Sequence, residues 1–333
     1  VGLARPQDAP GAVKIALVGA SADPQLHAVA TQVTALGATP VTVDFSLVDT
    51  TQPLVLWGGR QTLGSLSLTR FKGAYVRQIP GPWPPVAEGE DGQPMVLGAW
   101  MAPFMLAKER EQAALGMLLE WHAQGIPLLN PPALTGFAQN KPFQLHRARA
   151  LGIPHPRTCM TNNPAVALEF IQKTGRTIAK PLHGGALTVA LTPEALKNPA
   201  VRKHLQNIRH APVILQEHVD GDDVRLMMLD GKILSCAAIR LPEGPVLDFR
   251  GSDTYQGGQA TYEAVTLSAE TRRQAAAWVK SSGLVLAGVD LKRTARGRMV
   301  FLECNSSPIY LDQEWKTGDG ISRGIARWLT GLS

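Results

Sequence analysis

The segment that most restricts this chain reads GVDLKRTARGRMVFLECN, residues 288–305. Two β-rich runs, residues 285–291 and 299–304, flank a polar stretch that contains Arg296-Gly297. An X-Gly pair between such runs signals a two-residue hairpin, because glycine takes the positive φ the turn demands. With Arg296 and Gly297 as the loop, Asp290 stands as far before it as Glu303 stands after it, so the two face each other. Asn305 lies two residues beyond Glu303 and points to the same face. Two carboxylates and an amide oxygen thus converge on one patch of an otherwise apolar hairpin. Side by side, unpaired carboxylates repel, so the patch asks for a cation. A ligand set made only of oxygens suits a hard ion, Mg²⁺ or Mn²⁺.

Length leaves room for two or three domains with real cores: the chain has 333 residues, 44% of them hydrophobic and 18% charged. No apolar run is long enough to span a bilayer, which argues against a membrane protein. The first residues, VGLARPQDAPGAVKIALVG, read as a lead into a strand and not as a signal peptide. Cys159, Cys236 and Cys304 are widely spaced and form no metal motif, which fits a reducing cytoplasm. The net charge of +6 comes from scattered Lys and Arg without a basic run, which argues against nucleic acid as partner.

Residues 13–19 read as a buried strand, residues 24–37 as a helix with Leu26, Val29, Ala30, Val33 and Leu36 on one face, and residues 40–45 as a second strand. This βαβ start predicts an α/β N-terminal domain. Gly19-Ala20-Ser21 does not form GxGxxG, so no dinucleotide site is expected. Residues 53–76 read as short antiparallel strands, PLVLW, GGRQT, GSLSLTR and the start of GAYVRQI in turn. Residues 79–98 read as a Pro/Gly-rich loop. A helix is expected over 109–123, with Leu115, Leu118 and Leu119 on its buried side. Asn130-Pro131-Pro132 marks a domain boundary.

Beyond that boundary, helices are expected at 141–151 and 163–174, with Pro164 opening the second. Strands are expected at 177–180 and 213–219, and a hairpin turns at Asp230-Gly231. A helix over 268–282 leads into the opening hairpin. A final helix, 321–329, is expected to bury Ile325, Trp328 and Leu329.

Lys180 ends an apolar strand beside a Gly turn, where backbone N–H groups and an ammonium can meet one phosphate. His183, Gly184 and Gly185 form that turn, and Lys141 opens a helix after Gln139-Asn140. The run Gln216-Glu217-His218-Val219 follows an apolar strand and suits an adenine slot, the backbone supplying donor and acceptor. Asp220, Asp222 and Asp223 follow; one of them can hold ribose hydroxyls, or all can be turn residues. Arg225, Arg240 and Arg250 offer planar forks for phosphate or carboxylate oxygens. HExxH, CxxC and GxxxxGK[ST] are all missing.

Taken in order, Lys141, Lys180 with its Gly turn, QEHV, and then Asp290, Glu303 and Asn305 resemble the ATP-grasp superfamily. Within it the chain is similar to the RimK-like carboxylate–amine ligases, which include ribosomal-protein glutamate ligases. The matching stretches are QEHVDGDDVRLMMLDGKILSCAAIR, DFR, GG, GVDLKR, FLECNSSP and KTGDGISRGIARWL, within residues 130–333. The stretch NPPALTGFAQNKPFQLHRARALGIPHPRTCMTNNP also resembles the graspetide (microviridin-type) peptide ligases, as does the hairpin that precedes YVRQIP. Two departures stand out. KPLHGGALTV is shorter than the GSxGxGV loop of ribosomal-protein glutamate ligases, and DFRGSD lacks the asparagine of DFRSN.

The resemblance implies an ATP-grasp fold of the α/β (α+β) class. It comprises an N-terminal α/β pre-ATP-grasp domain (1–132), a central subdomain with a lid (133–219) and a C-terminal antiparallel-sheet subdomain with the metal site (220–333). It implies ATP held by Lys141, Lys180, His183, Gly184, Gly185, Gln216, Glu217, His218, Val219, Asp220 and Asp222. Mg²⁺ or Mn²⁺ would sit on Asp290, Glu303 and Asn305, and Arg225, Arg240 and Arg250 would be catalytic. The implied reaction is attack of a carboxylate on the γ-phosphate, then displacement of phosphate by an amine on an amino acid or peptide. Two alternatives stay open: a graspetide-type ligase that makes side-chain ester or amide crosslinks, and an ATP-binding regulatory protein without turnover. A homo-oligomer is also left open.

Overall fold

The structure, a computed structural model, describes residues 13–48, 52–57, 59–79, 97–182, 188–244 and 246–331. The chain forms two compact units. One comprises Val1–Ala133 with Gly320–Ser333, the other Leu134–Asp319.

The first unit opens with β1 (Lys14–Val18), α1 (Pro24–Ala35) and β2 (Thr39–Val43), the expected βαβ start. Asp23 caps α1 by accepting from the Gln25 N–H at 2.8 Å, and Pro24 occupies the first turn, where its missing N–H costs nothing. Next come β3 (Leu54–Trp57), β4 (Arg60–Leu63) and β5 (Leu66–Ser67), an antiparallel three-stranded sheet. β6 (Phe71–Val76) departs from the sequence reading. It pairs in parallel with β1 instead of continuing the antiparallel run. Its buried Phe71 and Ala74 belong to one core cluster with Ala16 and Val18 of β1, and short-range alternation does not reveal a strand's partner.

α2 (Leu97–Ala123) begins earlier than expected, and β7 (Leu128–Leu129) completes a parallel sheet of order β2-β1-β6-β7. Most of the loop expected at 79–98 lies outside the described residues. The buried stripe of α2 is Ala114, Met117, Leu118 and Trp121, at helical spacing; Leu119 is exposed and Leu115 half-buried. Trp121 anchors it, donating Nε1–H to the Leu68 carbonyl at 3.1 Å and meeting Phe71 edge-on at 5.0 Å. A C-terminal helix, Ile321–Thr330, returns to this unit against α1 and β6, with Ile325 and Leu329 buried and Trp328 half-buried.

α3 (Pro132–Ala138) spans the boundary along the chain. The second unit continues with α4 (Lys141–Ala150), capped by Asn140, whose Oδ1 accepts from the Phe143 N–H at 3.0 Å. β8 (Thr158–Thr161), α5 (Pro164–Thr174), β9 (Thr177–Lys180), β10 (Val189–Leu191), α6 (Pro199–Leu205) and β11 (Val213–Glu217) follow. Their strands form an antiparallel sheet of order β10-β9-β11-β8 over a small core of Ala167, Ile171, Leu191, Leu196, Leu205 and Leu215.

The larger sheet starts with β12 (Asp222–Leu229) and β13 (Lys232–Arg240). Their turn holds Asp230 at φ 49° and Gly231 at φ 74°, as a two-residue hairpin with two positive φ angles requires. After α7 (Asp253–Gln256), β14 (Thr261–Ala264) and α8 (Ala269–Ser282) come β15 (Leu286–Arg293), β16 (Met299–Asn305) and α9 (Leu311–Thr317). The order is β14-β13-β12-β15-β16, antiparallel throughout. One face carries Val224, Leu226, Met228, Val289 and Leu291 into a core closed by Ala275, Trp278 and Val279 of α8. Alternation sends the other set of side chains to the opposite face.

The β15–β16 hairpin pairs Asp290 with Glu303, as expected, by a route the sequence reading did not foresee. The turn is longer than two residues. Thr294 N–H donates to the Arg298 carbonyl at 3.0 Å and Gly297 N–H to the Thr294 carbonyl at 2.8 Å, with Gly297 at φ 75°. Such a turn would shift every partner by one residue. A bulge restores the register: Leu291 pairs with Phe301 while Asp290 pairs with Glu303, leaving Leu302 as the extra residue.

Candidate active site

The bulge has a second effect. Neighbours on a regular strand face opposite ways, yet Leu302 and Glu303 both line one cavity, of about 470 Å³. That is within the size range of small-molecule sites. The cavity lies wholly within the second unit. Pro156, Ile178 and Leu302 give it apolar wall, and Lys141, Lys180, Arg225, Arg250 and Lys292 give it positive charge.

Asp290 and Glu303 are not the unpaired carboxylates that the sequence suggested. Arg225, opposite Asp290 on β12, donates from Nε and, at 3.3 Å, from Nη2 to that carboxylate; its Nη1 donates to the Ile309 carbonyl at 3.0 Å. Lys141 Nζ stands 3.7 Å from Glu303 Oε2. Asn305 donates Nδ2–H to Asp290 Oδ2 at 3.1 Å. Burial pushes the Asp290 carboxyl up to about 6, and the charge of Glu303 adds to this against the pull of Arg225. The Arg225 guanidinium is held above its ordinary value: burial works against its charge, and Asp290 outweighs burial.

Among the described residues no three His, Cys, Asp or Glu side chains cluster as metal ligands. The candidate set is two carboxylates and an amide. All its donors are oxygens once the Asn305 amide makes a half-turn, and that donor chemistry fits a hard divalent ion, which would share the two carboxylates with Arg225 and Lys141.

Lys180 closes β9 and lines the same cavity. Burial lowers its pKa, and Glu303 partly restores it. A lysine that is costly to charge when alone gains from any anion that enters. Arg250 grips Asp248 by two bonds, Nε to Oδ1 at 2.9 Å and Nη2 to Oδ2 at 2.7 Å, and Asp248 also accepts from the Thr188 N–H at 3.1 Å. Burial opposes the ionised Asp248, but these partners outweigh it and hold its carboxyl well below the usual range.

Glu217, His218 and Val219 line the cavity; Gln216 does not, being buried in β11 with its Nε2 on Thr158 Oγ1 at 3.1 Å. Asp220 is exposed and paired with Arg176 at 2.6 Å. Asp222 and Arg240 face the core side of the sheet. Asp222 binds Arg240 there and Arg293 at 3.0 Å, and Arg240 also binds Glu263 at 2.6 Å. The structure does not bring these four side chains to the cavity. His183, Gly184 and Gly185, expected to form the Gly turn, lie outside the described residues.

Lys292 and Asp223 are the cavity residues that sequence reading passed over as a pair. Lys292 Nζ sits 2.9 Å from Asp223 Oδ1 and 3.3 Å from the Gly221 carbonyl. Burial raises the Asp223 carboxyl, and Lys292 opposes the rise. The signal was present: Lys292 is two residues beyond Asp290 and Asp223 two before Arg225, so both share the site's face. Gly221 tolerates no side chain here. At φ 149°, an added Cβ would stand 2.2 Å from the Arg293 carbonyl oxygen.

Comparison with known proteins agrees with this architecture. The sequence pattern described as "Prokaryotic glutathione synthetase, ATP-grasp domain" matches residues 149–295. A probable alpha-L-glutamate ligase 2 of Shewanella amazonensis is 32% identical over 184 residues, which cover 54% of this chain and 58% of that protein. A probable alpha-L-glutamate ligase 1 of Shewanella baltica is 28% identical, covering 63% and 69%. The chain therefore spans less than two thirds of the length of the first of these relatives. Among solved structures, the ATP-grasp ligase PsnB complexed with a minimal precursor superposes with a TM-score of 0.79 at 26% identity, over 96% of this chain and all of that one. The macrocyclase MdnC of Microcystis aeruginosa, bound with its precursor peptide MdnA, shares the fold at TM-score 0.76 and 23% identity, over 96% of this chain and all of that one. The chain carries an ATP-grasp domain in an ATP-grasp fold, and RimK-like glutamate ligases are among its sequence relatives.

Proposed function

We propose that this chain is an ATP-dependent ligase that activates a carboxylate as an acylphosphate and passes the acyl group to an amine on an amino acid or peptide. The observation that carries this reading is one cavity lined by Lys141, Lys180, Arg225 and Arg250 beside Asp290, Glu303 and Asn305. Glu217, His218 and Val219 would hold the base, and Lys141 and Lys180 the phosphates. Asp290, Glu303 and Asn305 would hold Mg²⁺, which when bound would neutralise phosphate charge. Arg225 fixes the Asp290 carboxylate by its two donors, and Arg250 offers a guanidinium whose orientation Asp248 has already set. Positioned positive charge of this kind is the main means of lowering the barrier in phosphoryl transfer. The cavity's apolar walls would help keep water from the acylphosphate, which water would hydrolyse.

A second reading, side-chain ester or amide crosslinking in a ribosomally made precursor, is favoured by one fact. The likeness to PsnB, solved with its minimal precursor, runs over nearly the whole chain, whereas the glutamate-ligase relatives match 54–63% of it. ADP release with Mg²⁺-ATP and a panel of amino acids and acidic peptides tests the proposal. Carboxylate-dependent ADP formation with a condensed product by mass spectrometry is expected. ATP binding with no turnover on any acid would overturn it in favour of a regulatory protein. A product with an internal loss of water, and not an added residue, would select the second reading.

A further inference from the structure

β16 is the edge strand of the larger sheet, and it carries Glu303 and Asn305. An edge strand has no neighbour to fix half of its backbone groups, so it can bend or slip. Here the outer side of β16 is closed by pieces that are not strands. Phe301 N–H donates to the Pro154 carbonyl at 2.7 Å. Beyond the bulge, the side chain of Gln144 takes over. Its Oε1 accepts from the Cys304 N–H at 2.8 Å, and its Nε2 donates to the Cys304 carbonyl at 2.9 Å. That two-way exchange is what a residue on a neighbouring antiparallel strand would provide. The second Nε2 hydrogen goes to the Ala138 carbonyl at 2.5 Å, so the buried amide is held from both sides.

Cys304 is the residue between Glu303 and Asn305. Fixing its N–H and C=O fixes the two peptide planes that aim both flanking side chains at the cavity. Gln144 follows Lys141 by three residues on α4, which places both on the helix face turned to β16. One helix therefore meets the side chain of Glu303 and the backbone of the next residue.

We propose that Gln144 is a positioning residue for the divalent-ion site: its amide acts as a one-residue substitute strand that keeps Glu303 and Asn305 in register on one face. This rests on the reading of Asp290, Glu303 and Asn305 as metal ligands. Gln144 does not line the cavity, so its effect passes through Cys304.

The test is Mn²⁺ binding, followed by electron paramagnetic resonance on the full chain with ADP present, together with amide hydrogen exchange at 299–306. Gln144→Met keeps length and volume but removes all three hydrogen bonds, the two to Cys304 and the one to Ala138. Expected are about a tenfold weaker Mn²⁺ affinity and faster exchange around Cys304 at a temperature where the variant is fully folded. Leu196→Ala, in the separate core below β11, is the matched destabilised control and should leave Mn²⁺ affinity unchanged. Should Gln144→Met not fold, Gln144→Asn, which keeps the amide but shortens its reach, carries the same comparison. Unchanged Mn²⁺ affinity in a folded Gln144 variant, with wild type binding Mn²⁺ normally, overturns the role of Gln144 alone. Equal Mn²⁺ binding by wild type and Glu303→Gln overturns the metal reading itself, and this inference with it.

Discussion

Glu303 meets Lys141 and faces Asp290, so its charge is held by the site and returned to it. Glu303→Gln keeps the shape of the side chain and removes that charge. Turnover of ATP should fall by roughly 10²-fold, the scale on which a single charge-stabilising group is lost, while the thermal unfolding midpoint stays close to wild type. Near-normal kcat would remove Glu303 from the site. Lys180→Ala should weaken ATP binding by about ten- to a hundredfold, since a charge-assisted hydrogen bond is worth about 1.5–3 kcal/mol. Isothermal titration would show this, and an unchanged Kd would exclude Lys180.

The pH dependence follows from Asp290. Its folded carboxyl is raised to about 6 from 3.8. Between these values the folded state holds a proton the unfolded state has released, so this group's contribution to stability falls as pH rises through that window. A divalent ion on the proposed ligands would compete with the same proton. Mn²⁺ affinity should therefore weaken as pH drops below about 6, and Asp290→Asn should bind weakly with a flat profile; a steep profile in that variant would assign the proton elsewhere. Much at this scale was legible beforehand. That Asp290, Glu303, Asn305, Lys141 and Lys180 belong to one patch was readable from residue type and spacing, and all five line the cavity. Asp222 and Arg240 misled because a run of acidic and basic residues at strand ends does not say which way alternation begins. Asp223, one residue on, faces the cavity.

At the level of elements, Gly288 sits opposite Asn305 and two residues before Asp290. An added Cβ would stand 2.5 Å from the Pro308 side chain, in the segment whose Ile309 carbonyl accepts from Arg225. Gly288→Ala should thus push that segment away, loosen Arg225 and lower kcat by about tenfold or more while ATP still binds. Stopped-flow turnover alongside nucleotide titration would separate the two, and full activity would mean the segment yields freely. Helices α4, α5 and α8 were readable because caps and apolar spacing are local. β6 was not, because parallel pairing with β1 is decided by residues far along the chain. The Arg296-Gly297 turn was recognised in place but not in length, since an X-Gly pair also closes the three-residue loop seen here.

For the molecule as a whole, the cavity residues all lie within 141–309, inside the second unit. Saturation with ATP and Mg²⁺ at about a hundred times Kd should stabilise that unit by about 2.7 kcal/mol through mass action alone. Hydrogen exchange on the full chain should show protection concentrated in 134–319, and Asp290→Asn should lose the Mg²⁺-dependent part of it. Protection spread evenly over both units would point to a nucleotide site other than this cavity. Among the described residues no helix is long and apolar enough to cross a membrane. The motifs that carry the resemblance lie almost entirely in the second unit, which is why the sequence reading pointed to a nucleotide and a metal ion and left the peptide or amino acid partner open.

The bulge at Leu302 makes the hairpin a two-gear device. Its tip, residues 294–298, runs one step out of phase with the end that bears the carboxylates. A change of loop length can therefore be absorbed before it reaches the site. The exposed Arg296, at the tip of this hairpin, is thus a natural anchor for a reporter dye, insulated enough to leave the chemistry alone.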